Sequence, residues 1–274
     1  MLRSTLDADK LANWLSLRQN SDGGFSCGEG VNRSYVDDTY WACATLKAVG
    51  ELGRIDVDRA IDFVLANEVP SGGFLNKYGQ DELVPWTGAT AIFFLDLFND
   101  LELCNVGRQI NYFAEVVRNT QHRSYLSWDI YHSAVALQAL SYDFSEMRDL
   151  VLSPTLQREV FFADLENPAN YSMASTILGC PNKTTLTHTE AKQLDQFLTT
   201  GVASDNTGKP NLLATLSAME LSCCLGQEPT SNANTVDFIK QSQSGSGGLG
   251  FRERTKEWCG CAFYALVLLE HLKG

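Results

Sequence analysis

Two adjacent carboxyl groups, those of Asp37 and Asp38, are the clearest candidates for chemistry in this sequence. A carboxyl group can act as a general acid only if burial or a neighbouring negative charge keeps it protonated. Adjacent aspartates can supply that neighbouring charge to each other. The stretch Asp37-Asp38-Thr39 would also cap the start of a helix well, so a purely structural role stays open at this point.

A second set of side chains has the right types for a metal ion. Zinc takes about four ligands and prefers thiolate and imidazole, which Asp129, His132, Cys259 and Cys261 could provide. The chain has eight cysteines, however, and no two of them form a CxxC pair. Reduced, buried thiols are the default in such a chain. We therefore predict no cofactor, with zinc as a disfavoured alternative.

Basic residues cluster in the loop that precedes the last predicted helix. Arg252, Arg254 and Lys256 could bind a diphosphate group, because guanidinium and ammonium groups pair well with phosphate oxygens. Ordinary solvated loop charges are an equally good interpretation of the same residues.

Composition limits the function classes. The formal net charge is −12 and the sequence pI is about 4.7, so the basic surface of a nucleic-acid-binding protein is absent. No apolar run reaches the roughly 18 residues of a membrane span, and we predict that the protein is not an integral membrane protein. The first residues carry no apolar leader segment, so we expect a cytoplasmic location.

An internal repeat organises the chain. Residues 19–25, with the sequence QNSDGGF, have a near copy in residues 243–249, QSGSGGL, and a partial copy in residues 70–74, PSGGF. Each copy follows an amphipathic helical pattern, such as Leu11, Trp14 and Leu15, and its Gly-Gly pair should end that helix. A second helix, rich in small apolar residues, follows each turn and should be buried.

Helix pairs of this kind recur about every 40 to 50 residues, six in all. The degenerate middle pairs predict outer helices over 107–118, 155–164 and 190–199, and inner helices over 129–141, 168–179 and 210–224. The last inner helix stays apolar from Phe263 to Leu269, without the polar cap that ends an open solenoid. This favours a closed ring that occupies residues 1–274 as one domain.

The Q-x-x-D-G-G-F turn and the stretch Asp38-Thr39-Tyr40-Trp41 resemble the prenyltransferase/squalene-oxidase repeat. That repeat builds the α6/α6 toroid of squalene and diterpene cyclases and of protein prenyltransferase β subunits. The resemblance implies an all-α fold, an α/α toroid (α6/α6 barrel) whose inner helices surround a central cavity lined by aromatic side chains. It also implies a prenyl or polyprenyl substrate.

The acid motif is the more specific part of this resemblance. Residues 35–39, YVDDT, resemble the D-x-D-D-T motif of class II terpene cyclases, with Tyr35 in place of the first aspartate. The resemblance implies that Asp37 protonates an alkene or epoxide and that Asp38 is its partner. We therefore favour protonation-initiated cyclisation of a prenyl chain as the function.

Tryptophans are predicted to line the cavity. Aligning the starts of the inner helices puts Trp86, Trp128 and Trp258 at the position of Asp38, near the cavity mouth. Aromatic faces suit prenyl chains and carbocations, although the same rings could simply pack between helices. We expect the substrate to contact Tyr35, Tyr40, Trp41, Trp86, Trp128, Tyr131, His132, Trp258 and Cys261.

Two alternatives remain. One is prenyl transfer, with the diphosphate on Arg252, Arg254 and Lys256; in protein prenyltransferases it involves an α-type partner subunit and zinc. The Asp-x-Cys ligand pair of that family is missing from residues 209–214, and Cys261 lies near the position of its histidine. The other alternative is a non-catalytic toroid that binds a lipid or a protein, which the replacement at Tyr35 would fit.

Overall fold

A computed structural model describes residues 5–26, 32–76, 83–119, 127–147, 166–179, 186–205, 207–227, 232–251 and 257–272. Over these ranges the chain forms eleven α-helices and three short 3-10 helices, and it has isolated β-bridges but no strands. The predicted all-α class is confirmed. None of the helices in the same ranges is long and apolar enough to cross a membrane.

Outer and inner helices alternate along most of the chain. The outer helices are α1 (Ala8–Ser16), α3 (Val57–Leu65), α5 (Val106–Arg118), α8 (His188–Thr200) and α10 (Asn232–Ser242). The inner helices are α2 (Val36–Val49), α4 (Pro85–Phe98), α6 (Ser127–Ala139), α7 (Glu166–Leu178), α9 (Leu212–Cys224) and α11 (Cys259–His271). The predicted outer helix at 155–164 lies outside the described residues.

The six inner helices form a closed ring. Helix α2 packs on α4, α4 on α6, α6 on α7, α7 on α9, α9 on α11, and α11 returns to α2. Outer helices α1 and α3 both pack on α2, while α5 packs on α6 and α8 on α9. The α/α toroid predicted from the repeat is therefore present.

The amino-acid pattern explains which helices lie inside. Helix α3 buries Ala60, Phe63 and Val64 and leaves Asp58 and Asp62 exposed, as a surface helix does. The inner helices are apolar around most of their circumference; eight consecutive residues of α9, from Leu212 to Met219, are buried.

The Gly-Gly turns place each outer helix end against the next outer helix. Gly23 has a φ of +93°, and a Cβ there would lie 2.1 Å from the carbonyl oxygen of Arg59 in α3. Gly247, in the copied turn, has a φ of +101°, and its Cβ would lie 2.4 Å from the carbonyl carbon of Lys10 in α1. Only glycine fits this conformation and this approach.

A glutamine clasp accompanies the turn. The Gln19 amide donates to Asp56 O (2.7 Å) and Gly23 O (3.0 Å), and its oxygen accepts from Asp56 N (2.9 Å). Asp56 is the N-cap of α3. The clasp thus connects one outer helix to the start of the next.

The same clasp closes the ring. Gln243 donates to Asp7 O (3.1 Å) and Gly247 O (3.0 Å) and accepts from Asp7 N (2.9 Å). Asp7 is the N-cap of α1. The contact between the last repeat and the first is therefore the same as the contact between the first repeat and the second.

Candidate active site

Equivalent backbone hydrogen bonds define which residues correspond between the first and last repeats. Tyr35 N donates to Phe25 O (3.0 Å), and Trp258 N donates to Leu249 O (2.9 Å). Phe25 and Leu249 are the last residues of the two copied turns. Tyr35 and Trp258 are therefore equivalent N-cap residues, of α2 and α11 respectively.

The predicted alignment of three tryptophans with Asp38 is wrong. Trp86 and Trp128 are the second residues of α4 and α6, the place that Asp37 holds in α2. Trp258 precedes its helix, with extended φ and ψ angles of −149° and 141°. Helix α11 starts one residue after Trp258, whereas α4 starts one residue before Trp86. An alignment that matches the tryptophans therefore shifts the two helices by two residues relative to each other.

Half-exposed side chains mark the face of each inner helix that lines the centre of the ring. The opposite face of α2, for example at Ala42 and Leu46, is fully buried. The central stripe includes Tyr40 and Ala44 on α2, Phe93 on α4, Tyr131 and His132 on α6, Met173 on α7, Glu220 on α9, and Phe263 and Val267 on α11.

Asp37 lies one helical turn from Tyr40 on the same side of α2. Its side chain is only 2% exposed. Burial raises the pKa of Asp37 well above its usual value, and the nearby charge of Asp38 raises it further. The polar side chains of Asn76, Thr87 and Thr90 act in the opposite direction but do not offset burial. Burial therefore favours the protonated form of Asp37.

One oxygen of this carboxyl group is unused. In the part of the chain that the structure describes, Asp37 Oδ1 and the neighbouring Thr87 Oγ1 are buried without a hydrogen-bond partner. Unsatisfied buried polar atoms cost stability and are rare, so they often mark a functional site. The pair lies between the N-terminal ends of α2 and α4.

The Asp38 side chain points toward the start of α11, the inner helix on the other side of α2. Its Oδ1 accepts a hydrogen bond of 3.1 Å from the indole nitrogen of Trp258. Burial raises the pKa of Asp38 to about 7, although the indole hydrogen bond favours the charged form. The two carboxyl groups therefore interact electrostatically while each is fixed by a different helix junction.

Two of the predicted substrate contacts, Trp41 and Trp258, pack on each other where α2 meets α11, and a third, Cys261, is buried. Trp41 is buried, and its ring meets Trp258 edge-on at a centroid distance of 4.8 Å. Trp258 also packs on Phe251 at 5.3 Å. Cys261 is fully buried on α11, and burial raises the pKa of its thiol. A repeat alignment does not distinguish side chains that pack between helices from those on the central stripe.

His132 does lie on the central stripe. Its Nδ1 is 2.8 Å from Trp128 O, and because a carbonyl only accepts, Nδ1 carries the proton and Nε2 is left as an acceptor. Burial lowers the pKa of His132 to about 4, so the ring is neutral at physiological pH. The ring also stacks obliquely on Trp128, at 4.3 Å between centroids.

An aromatic layer lines one side of the ring, one helical turn from Asp37. The Tyr40 ring lies 6.0 Å from Phe93 and 5.2 Å from Phe263, so it bridges α4 and α11. Burial raises the pKa of Tyr40 to about 12. The pKa of Tyr131 is raised by burial and also by the nearby charge of Glu220, so both phenols stay neutral. Neither Phe93 nor Phe263 was predicted from the sequence to contact the substrate. Phe93 lies seven residues after Trp86, and Phe263 lies five residues after Trp258.

The candidate zinc ligands do not form a cluster in the part of the chain that the structure describes. Within the described ranges no three His, Cys, Asp or Glu side chains come together in a way that could hold a metal ion, and Asp129, His132, Cys259 and Cys261 all lie in those ranges. The Cys259 thiol donates to Ser26 O at 3.4 Å. Tyr35, half-buried, serves as the N-cap of α2. Arg252, Arg254 and Lys256 lie outside the described residues.

Comparison with known protein families gives a match to the N-terminal half of the chain. A family model described as "Prenyltransferase alpha-alpha toroid domain" matches residues 1–150. This segment contains α1 to α6, including Asp37, Asp38 and His132, and is more than half of the 274 residues. No curated protein matches the sequence.

Proposed function

Because this chain belongs to the prenyltransferase α/α toroid family, we propose that its ring encloses a prenyl or polyprenyl chain and cyclises it after protonation by Asp37. The observation that carries this proposal is the state of Asp37. It is a buried carboxyl group with a raised pKa and an unpartnered oxygen, one turn from an aromatic layer. A carboxyl group that keeps its proton at neutral pH can act as a general acid.

The reaction conserves atoms. The π electrons of an alkene in the substrate take the proton from Asp37, which leaves a carboxylate and a carbocation. A second alkene of the same chain attacks the cation and closes a ring. His132 Nε2, an acceptor because Nδ1 donates to Trp128 O, then removes a proton next to the final cation and restores a double bond. The product is an isomer of the substrate. The protonated His132 then releases its proton to solvent, and Asp37 takes one back from solvent.

Aromatic rings near the acid suit the intermediate. A cation is attracted to the negative face of an aromatic ring, by up to about 2 kcal/mol when water is excluded. Tyr40, Phe93 and Phe263 form such a surface. Neutral phenols and phenyl rings do not react with the cation as a carboxylate or a free amine would, so they stabilise it without ending the reaction.

The test is Asp37→Asn, which keeps the shape of the side chain but removes the acidic proton. Purified protein is incubated with squalene and with geranyl, farnesyl and geranylgeranyl diphosphates; native mass spectrometry measures binding and gas chromatography measures products. We expect isomeric products from the unchanged protein and a loss of turnover of at least about 100-fold in the variant. Binding should stay within about threefold. Asp58→Asn, at an exposed position of α3, is the matched control.

Other outcomes would contradict the proposal in distinct ways. Release of diphosphate with transfer of the prenyl group to an acceptor, unaffected by Asp37→Asn, would indicate a transferase. Prenyl binding without any product would indicate a binding protein. If none of the prenyl chains bound, the proposal that the substrate is an isoprenoid would be wrong.

A further inference from the structure

The hydrogen bond between Trp258 and Asp38 joins the last inner helix to the first. The two residues are 220 positions apart in the sequence, and Trp258 Nε1 lies 3.1 Å from Asp38 Oδ1. Trp258 directly precedes α11, and Asp38 is the third residue of α2. The bond therefore forms only when the start of α11 is packed on the start of α2.

The repeat itself does not call for such a bond. Helices α2 and α4 begin after Tyr35 and Val84, and neither side chain caps its helix. Helix α9 begins after Asn211, whose side chain accepts from Leu213 N at 2.9 Å and so caps α9 itself. An inner helix can thus start without a side-chain donor that reaches the next helix. The bond from Trp258 has to be explained by the group that it binds.

Contacts on several sides fix the indole ring. The Trp258 backbone donates to Leu249 O at 2.9 Å. The ring meets Trp41 edge-on at 4.8 Å between centroids, and it also contacts Phe251 at 5.3 Å and Tyr264 at 6.1 Å. The N–H group is therefore held in one direction, toward the carboxyl group on α2. A hydrogen bond to a charged acceptor is stronger than one to a neutral acceptor, so this donor favours a carboxylate.

The neighbours of the two adjacent carboxyl groups differ. Asp38 accepts from the indole, which favours its charged form. Asp37 keeps one oxygen without a partner among the described residues, and Asn76, Thr87 and Thr90 beside it do not offset its burial. Like charges so close together oppose each other, so the loss of one proton makes the loss of the second harder. The fixed donor favours Asp38 as the group that ionises first.

Other charged or titratable groups also lie at this junction. Those that the structure describes are Asp37 on α2, Arg18 after α1, and Glu257, Cys259 and Cys261 at the start of α11. Glu257 accepts from the Trp14 indole, and the Cys259 thiol donates to Ser26 O at 3.4 Å. Burial raises the pKa of Cys261, so its thiol stays neutral. Asp37 is therefore the group whose protonation is coupled most directly to that of Asp38.

We propose that Trp258 is a positioning residue whose indole makes Asp38 the member of the pair that ionises, so that the remaining proton stays on Asp37. The inference rests on the proposed function for the use of that proton, and it adds the residue that decides which carboxyl group carries it. The family match ends at residue 150 and does not include Trp258. The acid of the first repeat is then completed by the last repeat, in the closed ring.

The test removes the donor and keeps an aromatic ring. In Trp258→Phe the packing on Trp41 remains but the N–H group is lost; Trp41→Phe, which changes the same ring contact and leaves the donor, is the matched control. Infrared difference spectra recorded against pH follow the protonated carboxyl groups, and Asp37→Asn and Asp38→Asn assign the two bands. Thermal melting first shows that each variant is folded.

We expect Trp258→Phe to raise the pH at which Asp38 is half protonated by about one unit, a tenfold change in proton affinity. The parent value follows from burial, which raises the pKa of Asp38 to about 7. Trp41→Phe should leave the midpoint in place. In an Asp38→Asn background, Trp258→Phe should not change the titration of Asp37, because the indole acts on Asp37 only through Asp38.

Turnover separates this role from a purely structural one. If Trp258 keeps the proton on Asp37, Trp258→Phe should lower kcat at least about threefold near pH 7, with KM within about twofold. The loss should disappear below about pH 5, where both carboxyl groups are protonated. An equal loss of kcat at every pH would overturn the inference.

A measurement on the parent protein does not depend on the folding of Trp258→Phe. One indole N–H resonance in its NMR spectrum should shift with the same midpoint as Asp38 and lose that dependence in Asp38→Asn. Absence of such a resonance, or an unchanged Asp38 midpoint in folded Trp258→Phe, would overturn the inference and leave the proposed function intact. The expected titrations without turnover of any prenyl chain would instead overturn the proposed function.

Discussion

Asp37 and Asp38 are adjacent in the chain, yet their side chains meet different neighbours. Asp37 lies beside Asn76, Thr87 and Thr90 and has one oxygen without a partner among the described residues. Asp38 accepts from the indole of Trp258 on the other side of α2. The helical rotation of about 100° per residue produces this division. Among the described residues, one carboxyl group thereby keeps an unpartnered oxygen, and the other is hydrogen-bonded to Trp258.

The pH dependence of stability should report Asp38. Its pKa is about 7 in the folded protein against 3.8 for an ordinary aspartate. The folded state therefore holds the proton more tightly, and the resulting stability is lost as pH rises from about 4 through about 7. The loss is on the order of 4 kcal/mol. Asp38→Asn, which keeps an oxygen for Trp258, should make this decline shallower in urea unfolding experiments between about pH 5 and pH 8. The raised pKa of Asp37 accounts for the decline that remains.

Asp58→Asn, exposed on α3, should leave the same pH profile unchanged. An Asp38→Asn profile that is as steep as that of the parent protein would mean that the Asp38 carboxyl is not protonated on folding.

At the scale of elements, the turn after each outer helix determines where the next outer helix begins. Gly23 shows this most clearly, because its φ of +93° and its approach to Arg59 both exclude a side chain. Gly23→Ala should lower the free energy of unfolding by roughly 2 to 4 kcal/mol. Gly53→Ala is the control, since a Cβ there meets nothing within 4 Å. Equal effects of the two substitutions in urea unfolding would show that the turn tolerates a side chain.

The helix pattern was predictable because burial imposes a period on the sequence. Inner helices predicted at 129–141, 168–179 and 210–224 are found at Ser127–Ala139, Glu166–Leu178 and Leu212–Cys224. The site was less predictable. When a helix is apolar all round, its own sequence does not show which face lines the centre of the ring and which faces pack on other helices. Trp41 and Tyr40 are neighbours on α2, but one packs on Trp258 and the other lies on the central stripe.

At the scale of the whole molecule, closure gives every repeat two neighbours. The contact between α11 and α2 completes the ring, and a second network joins the last turn to α1: the Trp14 indole and the hydroxyls of Ser244 and Ser246 all donate to Glu257. Trp258, which binds Asp38, is the next residue. The junction between the first and last repeats is therefore also part of the candidate active site.

Closure can be tested by comparing two equivalent clasps. Gln19 and Gln243 make the same three hydrogen bonds, the first between neighbouring repeats and the second across the junction. In a closed ring Gln19→Ala and Gln243→Ala should each lower the free energy of unfolding by about 1 to 3 kcal/mol, as measured by urea denaturation. In an open array the ends would not meet, and Gln243→Ala would be nearly neutral while Gln19→Ala was not. Because each substitution removes the same side chain from the same kind of turn, a difference between them can come only from whether the last repeat holds the first.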